Sequence, residues 1–121
     1  MALMAPADKP LAWLHSEVRT PPMSSAARLE TGFLLRRLQR GDRLGLPHSR
    51  PMADIGPRCH ELRIPDETIT WRIVYRADTD AVVILDVFAK KTPQTPVSVI
   101  QSCRRRLRAY DSATRGERSR S

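Results

Sequence analysis

The sequence predicts an α+β fold, with a small antiparallel β-sheet of about four strands and helices packed on one face. Three short segments of strand-like alternation follow one another between residues 59 and 89, separated by short turns. Amphipathic segments with helical spacing lie before and after them. The chain has 121 residues, of which 40% are hydrophobic and 5% aromatic. A single domain with a mainly aliphatic core is therefore expected.

The first third of the chain is predicted to contain one strand and one helix. Residues 1–8 are expected to form a flexible leader, and the folded domain is expected to span residues 9–111. Alternation over residues 11–16 predicts a first strand, which Thr20-Pro21-Pro22 ends. Residues 23–40 are predicted to be a helix that stops at Gly41. A connection rich in proline and glycine follows over residues 45–57.

Three strands and a last helix complete the predicted domain. The strands are expected over 59–64, 68–77 and 81–89, and the short turns between them favour an antiparallel meander. Thr95 is predicted to cap the N-terminus of the last helix, with Pro96 at its first position. Residues 112–121 are polar and basic, and a disordered tail is expected there.

Alternation along the three strands separates an apolar face from a charged face. If no strand contains a bulge, His60, Leu62, Ile64, Trp71, Ile73, Tyr75, Val83, Leu85 and Val87 share the face that the helices cover. The opposite face then collects Arg63, Arg72, Arg76 and Lys90, with Glu61 and Asp86 among them. Charges on such a face are most often simply solvated. The bias toward arginine, and the continuation into Lys90-Lys91 on a loop, favour a binding role.

The charge balance indicates an anionic partner. The chain carries 21 Lys and Arg against 13 Asp and Glu, a net charge of +8. RNA, DNA, a membrane surface and an acidic protein all satisfy this balance. The two cysteines form no CxxC pair, so neither a zinc site nor another cofactor is expected. The sequence shows no signal peptide and no apolar run of membrane-spanning length, so a cytoplasmic protein without membrane contact is expected.

Three motifs occur in a fixed order along the chain. They are Cys59-His60-Glu61-Leu62-Arg63, then Trp71-Arg72-Ile73-Val74-Tyr75, then Val87-Phe88-Ala89-Lys90-Lys91-Thr92-Pro93-Gln94-Thr95-Pro96. In this order they resemble the phage-derived branch of the RelE/ParE toxin superfamily, which includes the HigB toxins. The similarity covers about residues 9–110.

The resemblance implies a RelE-like fold and a toxin of a type II toxin–antitoxin system. Such toxins enter the ribosome and cut mRNA, which makes this chain an expected metal-independent endoribonuclease. Its expected partners are mRNA, the ribosome and a helix-turn-helix antitoxin of the HigA/XRE-like kind. Operator DNA is expected to be contacted only through the antitoxin.

The resemblance also assigns roles in RNA cleavage. Arg63 and Arg72 are expected to clamp the scissile phosphate, where cations stabilise the transition state. Lys90 or Lys91 is expected to add positive charge or to transfer a proton. For Tyr75 two roles are about equally expected: packing in the core, or stacking on a base or donating a proton.

Asp86 departs from the resemblance, because members of this branch often carry histidine there. Asp86 is therefore expected to act as a base or to orient Arg72. The remaining RNA-binding candidates are basic residues outside this group: Arg76, His48, Arg104, Arg105 and Arg108. His48 is expected to be an ordinary surface residue more often than an RNA-binding one. The helical arginines are either a solvated face or a contact with ribosomal RNA.

Two other functions fit the same sequence. One is a ParE-like inhibitor of DNA gyrase, which shares the fold and lacks nuclease activity. The other is a non-enzymatic basic module that binds nucleic acid. Arg63, Arg72 and Lys90 on one face favour RNA cleavage, because a gyrase inhibitor does not need a phosphate clamp.

Overall fold

In the computed structural model the chain forms five β-strands and two α-helices. The structure describes residues 8–14, 22–90 and 94–120, and for residues 90 and 116–120 it describes the backbone. The elements in chain order are β1 (Leu11–Trp13), α1 (Ser25–Gln39), β2 (Ser49–Pro51), β3 (Cys59–Asp66), β4 (Ile69–Ala77), β5 (Val82–Lys90) and α2 (Val97–Arg120). The predicted helix over 23–40 and the three strands after residue 59 are confirmed to within two residues. Apart from residue 8, the predicted leader lies outside the described residues.

All five strands belong to one mixed sheet, in the order β1-β5-β4-β3-β2. The meander from β3 to β5 is antiparallel as predicted, whereas β1 pairs with β5 in parallel. The prediction of about four antiparallel strands is therefore wrong in strand number and in the direction of one edge strand. The additional strand is β2, which lies in the segment predicted to be an irregular connection. It ends at Pro51, and proline is tolerated at a sheet edge, where its missing N–H can face solvent.

The two helices cover opposite faces of the sheet, which corrects the prediction that both pack on one face. We call the two sides the α1 face and the α2 face. On the α1 face, Leu34 and Leu38 of the helix belong to the same buried cluster as the strand residues Leu62, Ile64, Trp71, Ile73, Tyr75, Val82 and Ile84. On the α2 face, Cys103 and Leu107 belong to the same buried cluster as Cys59, Val74, Val83 and Leu85.

The composition of β5 explains why both faces are covered. Residues 82–85 are almost fully buried, and they alternate between the two clusters. A strand that is buried on both faces has a continuous apolar sequence instead of an alternating one. The run Ala81-Val82-Val83-Ile84-Leu85 is such a sequence. Leaving one face of this strand exposed would cost about 25 cal/mol for each Å² of apolar surface.

A β-bulge in β5 resets the alternation of side chains. Val74 pairs with Asp86 and Tyr75 pairs with Ile84, so Leu85 is the extra residue. The prediction assumed strands without bulges, and its placement of Val83 and Leu85 on the helix-covered side with Leu62 is therefore wrong. Beyond the bulge, Asp86 and Phe88 lie on the α2 face, together with Arg72 as predicted.

The N-terminus of α1 is joined to the turn between β3 and β4. The Ser24 side chain accepts a hydrogen bond from the Ala27 amide at 3.1 Å, which caps the helix. The carboxylate of Asp66 accepts bonds from the Ser24 amide at 2.9 Å and from the Trp71 indole N–H at 3.1 Å. The Ser24 amide is the main reason that the pKa of Asp66 is lowered to about 2.

Both ends of α2 differ from the sequence-based expectation. The predicted capping residue Thr95 instead donates its hydroxyl to Glu61 at 3.1 Å. The Pro96 carbonyl accepts from the amides of Val99 and Ile100, so the helix begins one residue later than predicted. At the other end α2 continues to Arg120, so residues 112–120 are helical and do not form a disordered tail. No helix in the described part of the chain is both long and apolar enough to cross a membrane.

Candidate phosphate-binding site

Three arginines lie on neighbouring strands of the α2 face. Strand pairing places Arg50 opposite Glu61 and Arg63 opposite Arg72. Directly opposite residues share a face of a sheet, with Cβ atoms about 4.5–5.5 Å apart. Phe88 is the next residue across the sheet, opposite Arg72 on β5. We call Arg50, Arg63 and Arg72 the arginine cluster.

Glu61 lies buried within the arginine cluster. Its Oε1 accepts a hydrogen bond from Nη1 of Arg72 and lies 3.6 Å from Nη2 of Arg50. Its Oε2 accepts the hydroxyl of Thr95 at 3.1 Å. Glu61 has 0% and Arg72 has 3% of its surface exposed, whereas Arg63 is half-buried. A buried carboxylate requires such partners, because an unpaired charge would carry a large desolvation cost.

The arginine cluster has more positive charge than Glu61 neutralises. Three arginines and one glutamate give this group a net charge of +2. Arg63 and Arg72 are like charges in a directly opposed cross-strand pair, which is unfavourable without an anion. The Nε groups of Arg50 and Arg72 are buried and have no hydrogen-bond partner among the described residues. Guanidinium groups match the geometry of phosphate oxygens, so the accessible part of the cluster, at the half-buried Arg50 and Arg63, is suited to bind a phosphate.

Asp86 joins the site to α2. Its Oδ1 accepts from the Val87 amide at 2.8 Å, and its Oδ2 lies 3.5 Å from Nη1 of Arg106. The same Arg106 nitrogen donates to the Leu85 carbonyl at 2.6 Å. Asp86 pairs across the strands with Val74, which lies two residues after Arg72 in β4. The predicted site residues Arg63, Arg72 and Asp86 are thus brought to one face.

Of the two predicted lysines, the structure describes one. Lys90 is the last residue of β5 and pairs with Thr70, two positions beyond Phe88. Lys91 lies outside the described residues. The described chain resumes at Gln94 and reaches Glu61 through Thr95. The described residues on either side of residues 91–93 both contact the sheet, Lys90 through its backbone pairing with Thr70 and Thr95 through Glu61.

The model of the family described as phage-derived protein Gp49-like (DUF891) matches residues 22–108. This chain belongs to that family. The Gp49-like family is a RelE-type, toxin-like family, and the matched region of the chain contains the whole arginine cluster. No curated protein and no solved structure matches the chain significantly.

In this Gp49-like protein Tyr75 lies on the other side of the sheet from the arginine cluster. It is 2% exposed and belongs to the cluster under α1. Its hydroxyl shares a hydrogen bond of 2.7 Å with the Ser49 hydroxyl, and its ring stacks on His60 at 5.4 Å. Burial raises the pKa of Tyr75 above its usual range. These contacts assign it to core packing, one of the two roles that the sequence left open.

Arg76 of the Gp49-like chain is engaged in ion pairs at the opposite end of the sheet. Its guanidinium binds Asp78 at 2.8 Å and Asp111 of α2 at 2.7 and 3.0 Å. These bonds raise the pKa of Arg76 and lower that of Asp111. An open groove of about 730 Å³ lies beside this network, lined among others by Arg58 and Tyr110. The geometry gives Arg76 a structural role, because it fastens α2 to β4.

The other predicted RNA-binding residues are not part of the arginine cluster. Nδ1 of His48 lies 3.9 Å from the Glu30 carboxylate of α1. Arg104 donates to the Asp54 carbonyl through Nε at 2.7 Å and through Nη2. Arg105 bonds to Ser102 of its own helix turn, and Arg108 is exposed on α2. The helical arginines form a separate basic surface.

Sequence reasoning missed Arg50 as a site residue and gave Glu61 no role. Arg50 was hidden because it lies in a segment rich in proline, where no strand was predicted. Only the pairing of β2 with β3 brings it beside Glu61. One signal for Glu61 was available, since an acidic residue placed by alternation among several arginines is expected to pair with them.

Proposed function

We propose that this Gp49-like chain is the toxin of a type II toxin–antitoxin pair and that it cleaves mRNA bound in the ribosome. The observation that carries the proposal is the arginine cluster. Arg50, Arg63 and Arg72 come from three adjacent strands and hold a net positive charge around the buried Glu61. Membership of a RelE-type family supports the same interpretation.

The proposed chemistry is transfer within the RNA chain. The ribose 2′-hydroxyl attacks the adjacent phosphorus, the bond to the 5′-oxygen breaks, and a 2′,3′-cyclic phosphate forms. Negative charge builds up on the phosphoryl oxygens, where the arginine cluster stabilises it. Arginine remains protonated, so the cluster supplies no general base. Asp86, Lys90 and Lys91 are the candidates for proton transfer.

The proposed partners follow from the same reaction. The RNA substrate is a codon held in the ribosome, and the basic surface of Arg104, Arg105 and Arg108 on α2 contacts ribosomal RNA. A helix-turn-helix antitoxin of the HigA/XRE-like kind is assigned to neutralise the toxin. The toxin contacts operator DNA only through this antitoxin. The proposed location is the cytoplasm, where ribosomes are available.

The decisive experiment is induction of the chain in growing bacteria, with mapping of newly formed mRNA ends. We expect cuts within translated reading frames and none in untranslated RNA. The variant Arg63→Gln should lower the cleavage frequency by about tenfold or more, because it removes one phosphate ligand. Arg36→Gln is the matched control, since Arg36 is exposed on α1 and the substitution removes the same charge. This control should cut like the wild type.

Other outcomes would refute the proposal. A DNA-damage response with intact mRNA would indicate gyrase inhibition. Growth without RNA cleavage or DNA damage would indicate a basic binding module. Equal loss of cleavage in Arg63→Gln and Arg36→Gln would show that total charge matters and the arginine cluster does not.

A further inference from the structure

Helix α1 has a second stripe of side chains, on the side that faces away from the sheet. Its residues are exposed, and they recur at spacings of three or four positions up to the C-cap: Ala26, Leu29, Phe33, Arg36 and Arg40. Leu29 has 76% and Phe33 has 58% of its surface exposed, and they are neighbours at positions i and i+4. With this spacing a helix presents a seam to another helix. We call these five residues and Gly32 the outer face of α1.

Gly32 lies between Leu29 and Phe33 on the outer face, and the fold of the chain does not account for it. Glycine inside a helix is less stable than alanine. A Cβ atom added at Gly32 would meet no atom within 4 Å beyond its own helix backbone, in the part of the chain that the structure describes. The backbone of Gly32 is helical, so no left-handed conformation requires glycine there. A missing side chain at an exposed position allows a second helix to approach closely.

The charges at the C-terminal end of the outer face have one sign. Arg36 and Arg40 are exposed, and neither forms an ion pair with a residue that the structure describes. Arg37, on the flank of the helix, is paired with Asp42 at 3.3 Å. Glu30 is the only acidic residue of α1, and it lies outside the seam. A partner that covers the outer face therefore needs apolar side chains over one half and carboxylates over the two arginines.

We propose that the outer face of α1 binds one α-helix of another protein, an amphipathic helix with acidic residues beside its apolar stripe. A second copy of this chain fits poorly, because each copy has a net charge of +8 and no carboxylate in its own outer face. RNA fits poorly as well, because its phosphates would meet two arginines at one end and apolar side chains elsewhere. The outer face and the arginine cluster lie on opposite sides of the sheet, so this binding does not depend on RNA cleavage.

The probe for this surface is a synthetic acidic peptide of about 20 residues, which is long enough to form a helix. It carries leucine at the seam positions and glutamate beside them. The control is a shuffled peptide, with the same composition but without the seam. Amide NMR spectra of the full chain measure the binding of both. We expect the acidic peptide to shift the amides of residues 26–40 and to bind about tenfold more tightly than the shuffled peptide.

Phe33→Ser separates helix recognition from general attraction between opposite charges, because it leaves the net charge unchanged. The affinity for the acidic peptide should fall by about tenfold, as expected for an aromatic residue that anchors an interface. Phe33 is largely exposed, so the variant should keep the circular dichroism spectrum of the wild type. Val97→Ser is the matched control, because Val97 is 67% exposed on α2 and the substitution removes an apolar side chain elsewhere. This control should bind the peptide like the wild type.

Gly32→Gln separates binding from stability. The new side chain has open space within the described chain and favours the helix, so Tm should rise by about 3 °C. The same side chain keeps the partner helix at a distance, so the affinity for the acidic peptide should fall by about fivefold or more. A role of Gly32 in folding alone would produce the opposite result, a lower Tm with unchanged affinity.

Other outcomes would overturn the inference. Equal affinity for the acidic and the shuffled peptide, or unchanged affinity in Phe33→Ser, would indicate charge attraction without helix recognition. Shifts of the same amides by a single-stranded RNA, and not by the acidic peptide, would indicate an RNA-binding surface. A wild-type dimer in sedimentation that dissociates in Phe33→Ser would indicate contact between two copies of the chain.

Discussion

The most informative single substitution is Arg72→Ala, because it leaves Glu61 buried without its closest partner. Breaking a buried ion pair from one side typically costs about 3–5 kcal/mol. Arg50 at 3.6 Å and Thr95 at 3.1 Å remain beside the carboxylate, so the lower end, about 3 kcal/mol, is expected. Small domains are stabilised by about 5–15 kcal/mol, so this loss would be a large fraction of the total.

Urea unfolding followed by circular dichroism measures this loss. With a urea dependence of about 2 kcal/mol per M, the unfolding midpoint should fall by about 1.5 M. Arg63→Ala is the matched control, because Arg63 is half-buried opposite Arg72 and its removal leaves no unpaired charge. The double variant Glu61→Leu/Arg72→Met should be more stable than Arg72→Ala, since both buried charges are then absent.

A midpoint within about 0.3 M of the wild type in Arg72→Ala would refute this reasoning, because the two buried charges would then be uncoupled. The expected instability also affects functional tests. Loss of cleavage in Arg72→Ala is ambiguous between chemistry and folding. Arg72→Lys keeps a positive charge beside Glu61 but lacks the fork of donors, so it should remain folded and lose cleavage.

Three further predictions follow from individual contacts. Arg63→Ala should weaken the binding of single-stranded RNA, measured by fluorescence anisotropy. The slope of log affinity against log salt concentration should fall in magnitude by about 0.7. An unchanged slope would exclude Arg63 as a phosphate ligand. The pKa of Asp66 is about 2 in the folded chain, below its unfolded value of about 3.9, so its stabilisation is complete at neutral pH and is lost as pH falls toward 2. Asp66→Asn should therefore flatten acid unfolding in that range, and an identical acid profile would contradict this. Burial raises the pKa of the Cys59 thiol to about 11 and that of the Cys103 thiol to about 12. A thiol reagent at pH 8 should therefore label both cysteines only in denaturant. Labelling of the native protein would show that this core opens.

Much of the fold was predictable because it depends on local patterns. The stripe of α1 and the three strands of the meander are encoded by neighbouring residues, and the structure contains them nearly as predicted. The predicted placement of Arg63 and Arg72 on one face also holds, because β3 and this part of β4 alternate regularly. The family match over residues 22–108 agrees with the ordered motifs that suggested a RelE-type protein.

The errors concern features that depend on contacts between distant segments. The bulge at Leu85 is set by pairing between β4 and β5, and no residue type in β5 predicts it. β2 is recognisable as a strand only through its pairing with β3. The side of the sheet that α2 covers depends on how the chain crosses over after β5, which side-chain periodicity does not specify. Thr95 had two available acceptors, and tertiary contact with Glu61 prevailed over the local cap.

The sequence by itself determined the two helices and the three strands of the meander, the excess of positive charge and the location of that charge on the meander. These properties follow from periodicity and composition, which are local. Only the tertiary structure decided which charges act together. It placed Arg50 and Thr95 beside Glu61, joined Arg76 to Asp111, and put Tyr75 in the core under α1. The physical reason is that a buried charge takes its partners from whatever segments folding brings near it, and the distance along the chain does not limit that choice.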